Sequence, residues 1–115
     1  MGKSILKDKS YAFAIDIVKL SQRLVAEKKE FVLSKQILKS GTAIGALIRE
    51  AEFGQSRADF IGKMSISLKE ANETEYWLLL LKDTDYISQI EFEKFQANYK
   101  ELIAMLVSTI KTSKK

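Results

Sequence analysis

The sequence predicts an all-α protein, an antiparallel up-down-up-down four-helix bundle. The chain contains no proline, and strong helix formers dominate every segment, which suits long helices better than strands. Apolar residues recur every three to four positions in four stretches, which is the spacing of one face of an α-helix. The connections between these stretches are short, and short connections force neighbouring helices to run antiparallel.

The first two helices are predicted over about residues 9–28 and 34–53, each from one row of apolar side chains. In the first helix the row has the spacing of a bundle helix and contains Phe13, Ile17, Leu20 and Leu24. In the second helix the row contains Ile37, Gly41, Ile44, Ile48 and Ala51. Gly54 predicts the end of the second helix, since glycine is common just beyond a helix C-terminus.

Two glycines, Gly41 and Gly45, lie four residues apart inside the second helix. Each costs about 1 kcal/mol relative to alanine in a helix interior, so another interaction should offset them. Close approach of a neighbouring helix is the simplest explanation, and we prefer it to contact with a ligand.

The third and fourth helices are predicted over about residues 56–84 and 88–111, and each begins with a capping pattern. Ser56 and Asp59 form a variant capping box with aspartate in the glutamate position, whereas Ser88 and Glu91 form the usual one. The row of the third helix is small in its middle and consists of Phe60, Met64, Ser67, Ala71, Thr74, Leu78 and Leu81. The row of the fourth helix is Phe92, Phe95, Tyr99, Leu102 and Leu106.

Length and composition predict one domain over residues 1–115, since no linker or repeat divides the chain and such a domain buries about two-thirds of its unfolded surface. Histidine and cysteine are both absent, which excludes disulfides, thiolate or imidazole catalysis and the common zinc ligands. The sequence has no secretory signal and no apolar run of membrane-spanning length. We therefore expect a soluble cytoplasmic protein that binds no cofactor and no membrane.

Positive charge is concentrated at the two ends of the chain. Residues 1–39 hold nine basic and four acidic residues, residues 40–110 hold seven and eleven, and the last five residues add three lysines. This asymmetry favours an anionic partner, either nucleic acid or an acidic protein surface, with lysines that only maintain solubility as the alternative. The candidate nucleic-acid-binding residues are Lys3, Lys7, Lys9, Lys19, Arg23, Lys28, Lys29, Lys111, Lys114 and Lys115.

The third helix combines carboxylates and aromatic residues. Glu70 and Glu73 share one face, and Arg49 on the second helix is the natural cation to bridge them. We predict an ion-pair network, internal or at a subunit interface, rather than a metal site, because carboxylate metal sites in bundles also need histidine. Tyr76 and Trp77 are predicted to pack in the core or at a subunit interface, with stacking on nucleic-acid bases as the alternative.

The run over residues 76–81 is apolar on nearly every side of the helix. A helix that is apolar all round must be covered all round, and one small bundle covers only one face well. The surplus apolar surface therefore predicts self-association, most simply with closed symmetry.

The most specific part of the sequence is a set of blocks in the second and third helices. These blocks are Ser40-Gly41-Thr42-Ala43-Ile44-Gly45, Ile48-Arg49-Glu50-Ala51, Asp59-Phe60 and Lys69-Glu70-Ala71-Asn72-Glu73-Thr74-Glu75-Tyr76-Trp77-Leu78. Together they resemble the four-helix bundle family of proteins encoded in 23S rRNA intervening sequences. The candidate structural or interface network within them is Gly41, Gly45, Arg49, Glu50, Glu70, Glu73, Tyr76 and Trp77.

This resemblance implies a barrel-like homopentamer of up-down bundles, and it implies no known enzymatic activity. It extends to the accessory variability protein of diversity-generating retroelements, a basic pentamer that works with a reverse transcriptase and binds nucleic acid.

Two functions fit these observations. The first is a non-catalytic oligomeric adaptor that binds structured RNA or other nucleic acid through basic surfaces. The second is a protein–protein scaffold that recruits a partner enzyme, with the positive charge incidental. An enzyme is the least supported hypothesis, because no nucleophile–base pair or metal set can be assembled without histidine or cysteine.

Overall fold

The chain folds into an all-α bundle of four helices, as the sequence predicts. The structure is a computed structural model that describes the backbone of residues 2–115 and the side chains of residues 5–115. Its helices are α1 (Gly2–Lys28), α2 (Leu33–Glu52), α3 (Arg57–Asp83) and α4 (Gln89–Ser113). Each helix packs on its neighbour in sequence, and α1 also contacts α4, which closes a bundle about 45 Å long.

Helix α1 begins at Gly2, well before its predicted start near residue 9. In the predicted apolar row, Phe13 is the first large side chain. Leu6 and Ser10 are also buried and continue that row toward the N-terminus, so the helix extends beyond the predicted boundary. The remaining helix boundaries lie within two residues of their predicted positions.

The predicted apolar rows meet in one core. In α1 and α2 the buried members are Phe13, Ile17, Leu20, Leu24, Ile37, Gly41, Ile44, Ile48 and Ala51. In α3 and α4 they are Met64, Ser67, Ala71, Thr74, Leu78, Leu81, Phe92, Phe95, Tyr99, Leu102 and Leu106. Phe60, the first residue of the predicted α3 row, is only partly buried and packs against the core from its edge. The apolar period of the sequence thus identifies nearly the whole interior.

Serine side chains cap the starts of α3 and α4. The Ser56 hydroxyl accepts a hydrogen bond from the Asp59 backbone N–H at 3.0 Å, and the Ser88 hydroxyl accepts one from the Glu91 backbone N–H at 3.1 Å. The predicted return bond from the Ser88 N–H to the Glu91 carboxylate is not formed, because that carboxylate accepts a hydrogen bond from Arg23 on α1 instead. Of the two hydrogen bonds of a capping box, one is therefore formed and the other is replaced by a contact between α1 and α4.

Gly54 follows the end of α2 for a reason of space rather than of backbone conformation. No glycine in the described backbone has a positive φ, so Gly54 does not form the left-handed cap that the sequence suggests. A Cβ at this position would lie 3.1 Å from the Ala51 carbonyl oxygen and 3.2 Å from Asp59 Oδ2. The tight connection between α2 and α3 therefore leaves little room for a side chain.

Helices α1 and α2 approach each other closely at the two helical glycines. A Cβ built on Gly41 would lie 2.8 Å from both Cγ1 and Cγ2 of Ile17, and one built on Gly45 would lie 3.2 Å from the Ser10 hydroxyl. Ile17 and Ser10 are themselves fully buried. Close packing between helices is thus what offsets the low helix propensity of these glycines.

The small residues in the middle of α3 allow α3 to pack closely on α2. Ser67 is fully buried, and its hydroxyl donates a hydrogen bond to the Ile44 carbonyl oxygen at 2.9 Å. A larger side chain at position 67 would separate the two helices and remove this bond. Helix α2 is therefore packed tightly on two sides, against α1 through its glycines and against α3 through Ser67.

We expect Gly41→Ala to destabilise the fold by about 1–2 kcal/mol, because the new methyl group overlaps the immobile side chain of Ile17. Gly62→Ala is the matched control, since a Cβ there meets nothing within 4 Å. The control should gain about 0.5–1 kcal/mol from its better helix propensity. Urea unfolding followed by circular dichroism measures both, and a Gly41→Ala variant as stable as the control would contradict the close packing.

The Tyr99 side chain is fully buried in the core. Its hydroxyl forms no hydrogen bond of ordinary geometry, although Glu75 lies close enough to act on it electrostatically. Burial raises the pKa of the Tyr99 phenol well above its usual range, and the neighbouring Glu75 raises it further. In the folded protein this phenol therefore stays protonated at a pH where an unfolded tyrosine ionises.

This raised pKa predicts a specific loss of stability at high pH. Below about pH 10 the phenol is neutral in both the folded and the unfolded state. Above that pH only the unfolded state ionises, so the free energy of unfolding falls by about 1.4 kcal/mol for each pH unit. Tyr99→Phe should remove this pH dependence. The stability of the variant relative to the wild type should therefore rise between pH 9 and pH 11, values that bracket an ordinary tyrosine pKa of about 10. Urea midpoints that shift equally for both proteins over this range would contradict the prediction.

Candidate nucleic-acid interface

The bundle brings both chain ends to one end of the molecule. Lys7 Nζ in α1 lies 3.5 Å from Glu52 Oε2 at the end of α2, and Arg57 at the start of α3 donates a hydrogen bond to the Lys115 carbonyl oxygen at 3.4 Å. We call this the tail end. The opposite end, the loop end, holds the α1–α2 connection over residues 29–32 and the α3–α4 connection over residues 84–88.

Three of the predicted phosphate-binding residues are already paired with carboxylates. The pairs are Lys7 with Glu52, Lys9 with Glu101 and Arg23 with Glu91. The second and third pairs connect α1 to α4, and they show that these helices run antiparallel. Such pairs are partly exposed and contribute little to stability, but they neutralise much of the positive charge of α1.

Among the candidates whose side chains are described, the remaining six have no carboxylate within 4.0 Å: Lys19, Lys28, Lys29, Lys111, Lys114 and Lys115. Lys111 and the terminal pair 114–115 lie at the tail end, Lys28 and Lys29 lie at the loop end, and Lys19 lies between the two ends. Lys3 lies outside the described side chains. The structure therefore divides the predicted basic residues between two ends and the side of the bundle, and does not gather them on one face.

A groove of about 500 Å³ runs between α1 and α4, which make less contact than any other pair of neighbouring helices. Its walls are polar and its base is apolar, formed by the buried side chains of Leu20 and Phe95. The charged and hydrogen-bonding residues that line it are Asp16, Lys19, Arg23, Ser88, Glu91, Lys94 and Asn98. Two residues of the predicted set, Lys19 and Arg23, thus lie side by side in one groove.

Lys94 was not among the predicted site residues, yet it lines the same groove. In sequence it is separated from the basic ends and lies in the acidic middle of the chain. The signal that reveals it is the register of α1 against α4, in which Arg23 lies opposite Glu91. Because the helices are antiparallel, a residue one turn before Arg23 lies opposite a residue one turn after Glu91, and these positions are occupied by lysines.

The predicted pairing of Arg49 with Glu70 and Glu73 is not formed within the chain. Among the described side chains, Arg49 has no carboxylate within 4.0 Å, and the neighbouring Glu50 pairs instead with Lys63 of α3 at 3.3 Å. Consecutive residues of a helix point about 100° apart. Position 50 therefore faces α3, while Arg49 faces α1 and lines a cavity there with Lys7 and Tyr11. Pairing across a subunit interface stays a prediction.

The two predicted aromatic residues have different environments. Tyr76 and Trp77 contact each other edge to face, with ring centroids 5.0 Å apart. Trp77 packs against the core and its indole nitrogen is buried without a hydrogen-bond partner, whereas Tyr76 is 58% exposed. The core packing predicted for the pair therefore holds for Trp77, and Tyr76 points outward.

Two classes of site find no support in the described residues. No group of three or more carboxylates is placed to hold a metal ion in this part of the chain. None of the helices there is both long and apolar enough to cross a membrane.

Comparisons with known proteins agree on one family. A family model described as 23S rRNA-intervening sequence protein matches residues 3–108. A crystal structure of a protein of unknown function from the S23 ribosomal protein family of Bacteroides thetaiotaomicron is 58% identical, with a TM-score of 0.95. The alignment covers 96% of this chain and 99% of that one. No curated protein sequence is significantly similar to the chain.

Proposed function

Because the chain belongs to the family of 23S rRNA-intervening sequence proteins, we propose that it is a non-catalytic adaptor that self-associates and binds structured RNA or other nucleic acid. The description of the family names a ribosomal RNA, and that of the similar structure names a ribosomal protein family. The cytoplasm, where ribosomal RNA is found, is the compartment that this function requires. The absence of histidine and cysteine supports a role without catalysis.

The observation that carries the proposal is the set of basic side chains left unpaired by the fold. Lys19, Lys28, Lys29, Lys111, Lys114 and Lys115 have no carboxylate within 4.0 Å among the described side chains. Unpaired surface cations are available to neutralise phosphates and to release the counterions condensed on nucleic acid. Their division between two ends and one side of the bundle favours contact with an extended or folded polymer over capture of a small anion.

Self-association supports the proposal by multiplying these contacts. Large apolar side chains are exposed on three of the helices. They are Tyr11 and Ile15 of α1, Leu38 of α2, and Ile66, Tyr76 and Leu79 of α3. Surfaces of this kind are commonly buried between subunits. The homopentamer implied by the family resemblance would raise the charge of +4 per chain to about +20.

A protein–protein scaffold is the second candidate, and exposed apolar residues at the two ends of the bundle favour it. Phe53 is 79% exposed at the tail end, and Val32 is 68% exposed at the loop end. An exposed aromatic side chain such as that of Phe53 is a suitable anchor for a partner protein, because aromatic residues are enriched in protein interfaces. Such binding would depend on apolar contact and would respond weakly to salt, which separates the two candidates.

One experiment tests both parts of the proposal. Light scattering should give a mass of about 65 kDa, five times the 13.1 kDa of one chain. Titration of a labelled RNA hairpin, with duplex DNA alongside, should show affinity falling at least about tenfold between about 50 mM and 200 mM salt. Replacing Lys111, Lys114 and Lys115 with Gln should weaken binding while leaving the mass unchanged.

Two different results would contradict the two parts of the proposal, nucleic-acid binding and self-association. A protein that binds neither nucleic acid at low salt is not a nucleic-acid adaptor, and the scaffold then becomes the leading candidate. A mass of 13.1 kDa at all concentrations would exclude self-association.

A further inference from the structure

The groove between α1 and α4 contains an unusual arrangement of charge. One ion pair, Arg23 with Glu91, lies within it, and a second, Lys9 with Glu101, connects the same two helices nearer the tail end. Between these pairs, Lys19 of α1 and Lys94 of α4 both line the groove. The fold therefore places two cations together where the flanking positions hold cation–anion pairs.

Neither lysine has a carboxylate within 4.0 Å among the described side chains. Asp16 is the remaining acid of the groove, and it lies one helical turn from Lys19 without pairing with it. Two like charges in one concave site repel each other and raise the local positive potential. A bound anion placed between them would relieve that repulsion.

The remaining lining of the groove matches a nucleotide unit better than a simple ion. Ser88 and Asn98 offer polar groups on the α4 side. Ile90, 69% exposed at the rim, provides an apolar contact for a sugar or a base face. The groove also lies beside the start of α4, whose positive dipole end favours a nearby anion.

We infer that the α1–α4 groove binds a phosphate of a nucleic-acid backbone, with Lys19 and Lys94 as the two direct contacts. This inference rests on the proposed function and names where on the chain it is carried out. Arg23 is a third contact that becomes available when its guanidinium leaves Glu91 for the phosphate. The groove lies on the side of the bundle, so it can hold the polymer between the basic residues of the two ends.

The double variant Lys19→Gln, Lys94→Gln tests the inference against a matched control, Lys35→Gln, Lys39→Gln. The control removes the same charge from exposed lysines of α2 that lie outside the groove. The groove variant should bind a labelled RNA hairpin at least about tenfold more weakly, with the slope of log affinity against log salt reduced by about 0.7 to 0.9 for the one phosphate that is no longer neutralised. The control should change affinity by less than about threefold, and circular dichroism melts should show that both variants fold.

A gain of function provides an independent test. Glu91→Gln should release Arg23 and tighten RNA binding by about threefold or more, since a charge-assisted hydrogen bond to phosphate replaces the ion pair. Glu93→Gln is the control, because it makes the same change of net charge on α4 outside the groove. Equal effects of the two substitutions would exclude Arg23 as a third contact.

The outcomes separate this inference from the proposed function. If the wild type binds RNA, and the groove and control double variants weaken that binding equally, the inference about the groove is wrong and the adaptor proposal still stands. A wild type that binds neither RNA nor DNA would overturn both.

Discussion

Ile17 and Gly41 determine how closely α1 and α2 pack, and the remaining geometry of the bundle depends on that distance. The Cγ1 and Cγ2 atoms of Ile17 occupy the space that a side chain at position 41 would need. The Ser10 and Gly45 contact repeats the arrangement nearer the tail end. On its other side α2 is bound to α3 through the hydrogen bond from Ser67 to Ile44. Helix α2 is thus the element against which both of its neighbours are fixed.

The groove lies on the side of α1 that faces α4. Among the neighbouring helix pairs, α1 and α4 make the least contact. Two ion pairs connect these helices, in addition to the edge-to-face contact of Phe13 with Phe95. These pairs show the register of α1 against α4, in which Lys19 and Lys94 line the same groove. The charged concave site therefore lies where two neighbouring helices make the least contact.

The fold could be predicted from the sequence because its signals are periodic and local. The apolar rows depend only on the spacing of residues along each helix, and all of their predicted members except Phe60 are buried. The predicted start of α1 was wrong because the buried row continues toward the N-terminus only through Ser10, a small polar residue, and Leu6, a single leucine. These two residues do not form a recognisable apolar pattern. Burial of a serine between helices is decided by the fit of the neighbouring helix, which the sequence does not state.

The candidate site was harder to predict because it depends on which helix each side chain faces. Arg49 and Glu50 are adjacent in sequence, yet only Glu50 faces α3 and pairs with Lys63. Lys94 joins Lys19 only through the register between α1 and α4, which is set by contacts across the bundle. The sequence showed that positive charge was in excess, while the three-dimensional arrangement showed which cations were paired and which were available.

Cross-linking of RNA to the purified protein, followed by mass spectrometry of the linked peptides, tests most directly whether the unpaired cations contact nucleic acid. We expect cross-links within residues 19–23 of α1 and 90–98 of α4, together with the lysine-rich residues 111–115. Cross-links confined to the outer surfaces of α2 and α3, or a complete absence of cross-links at low salt, would contradict that expectation.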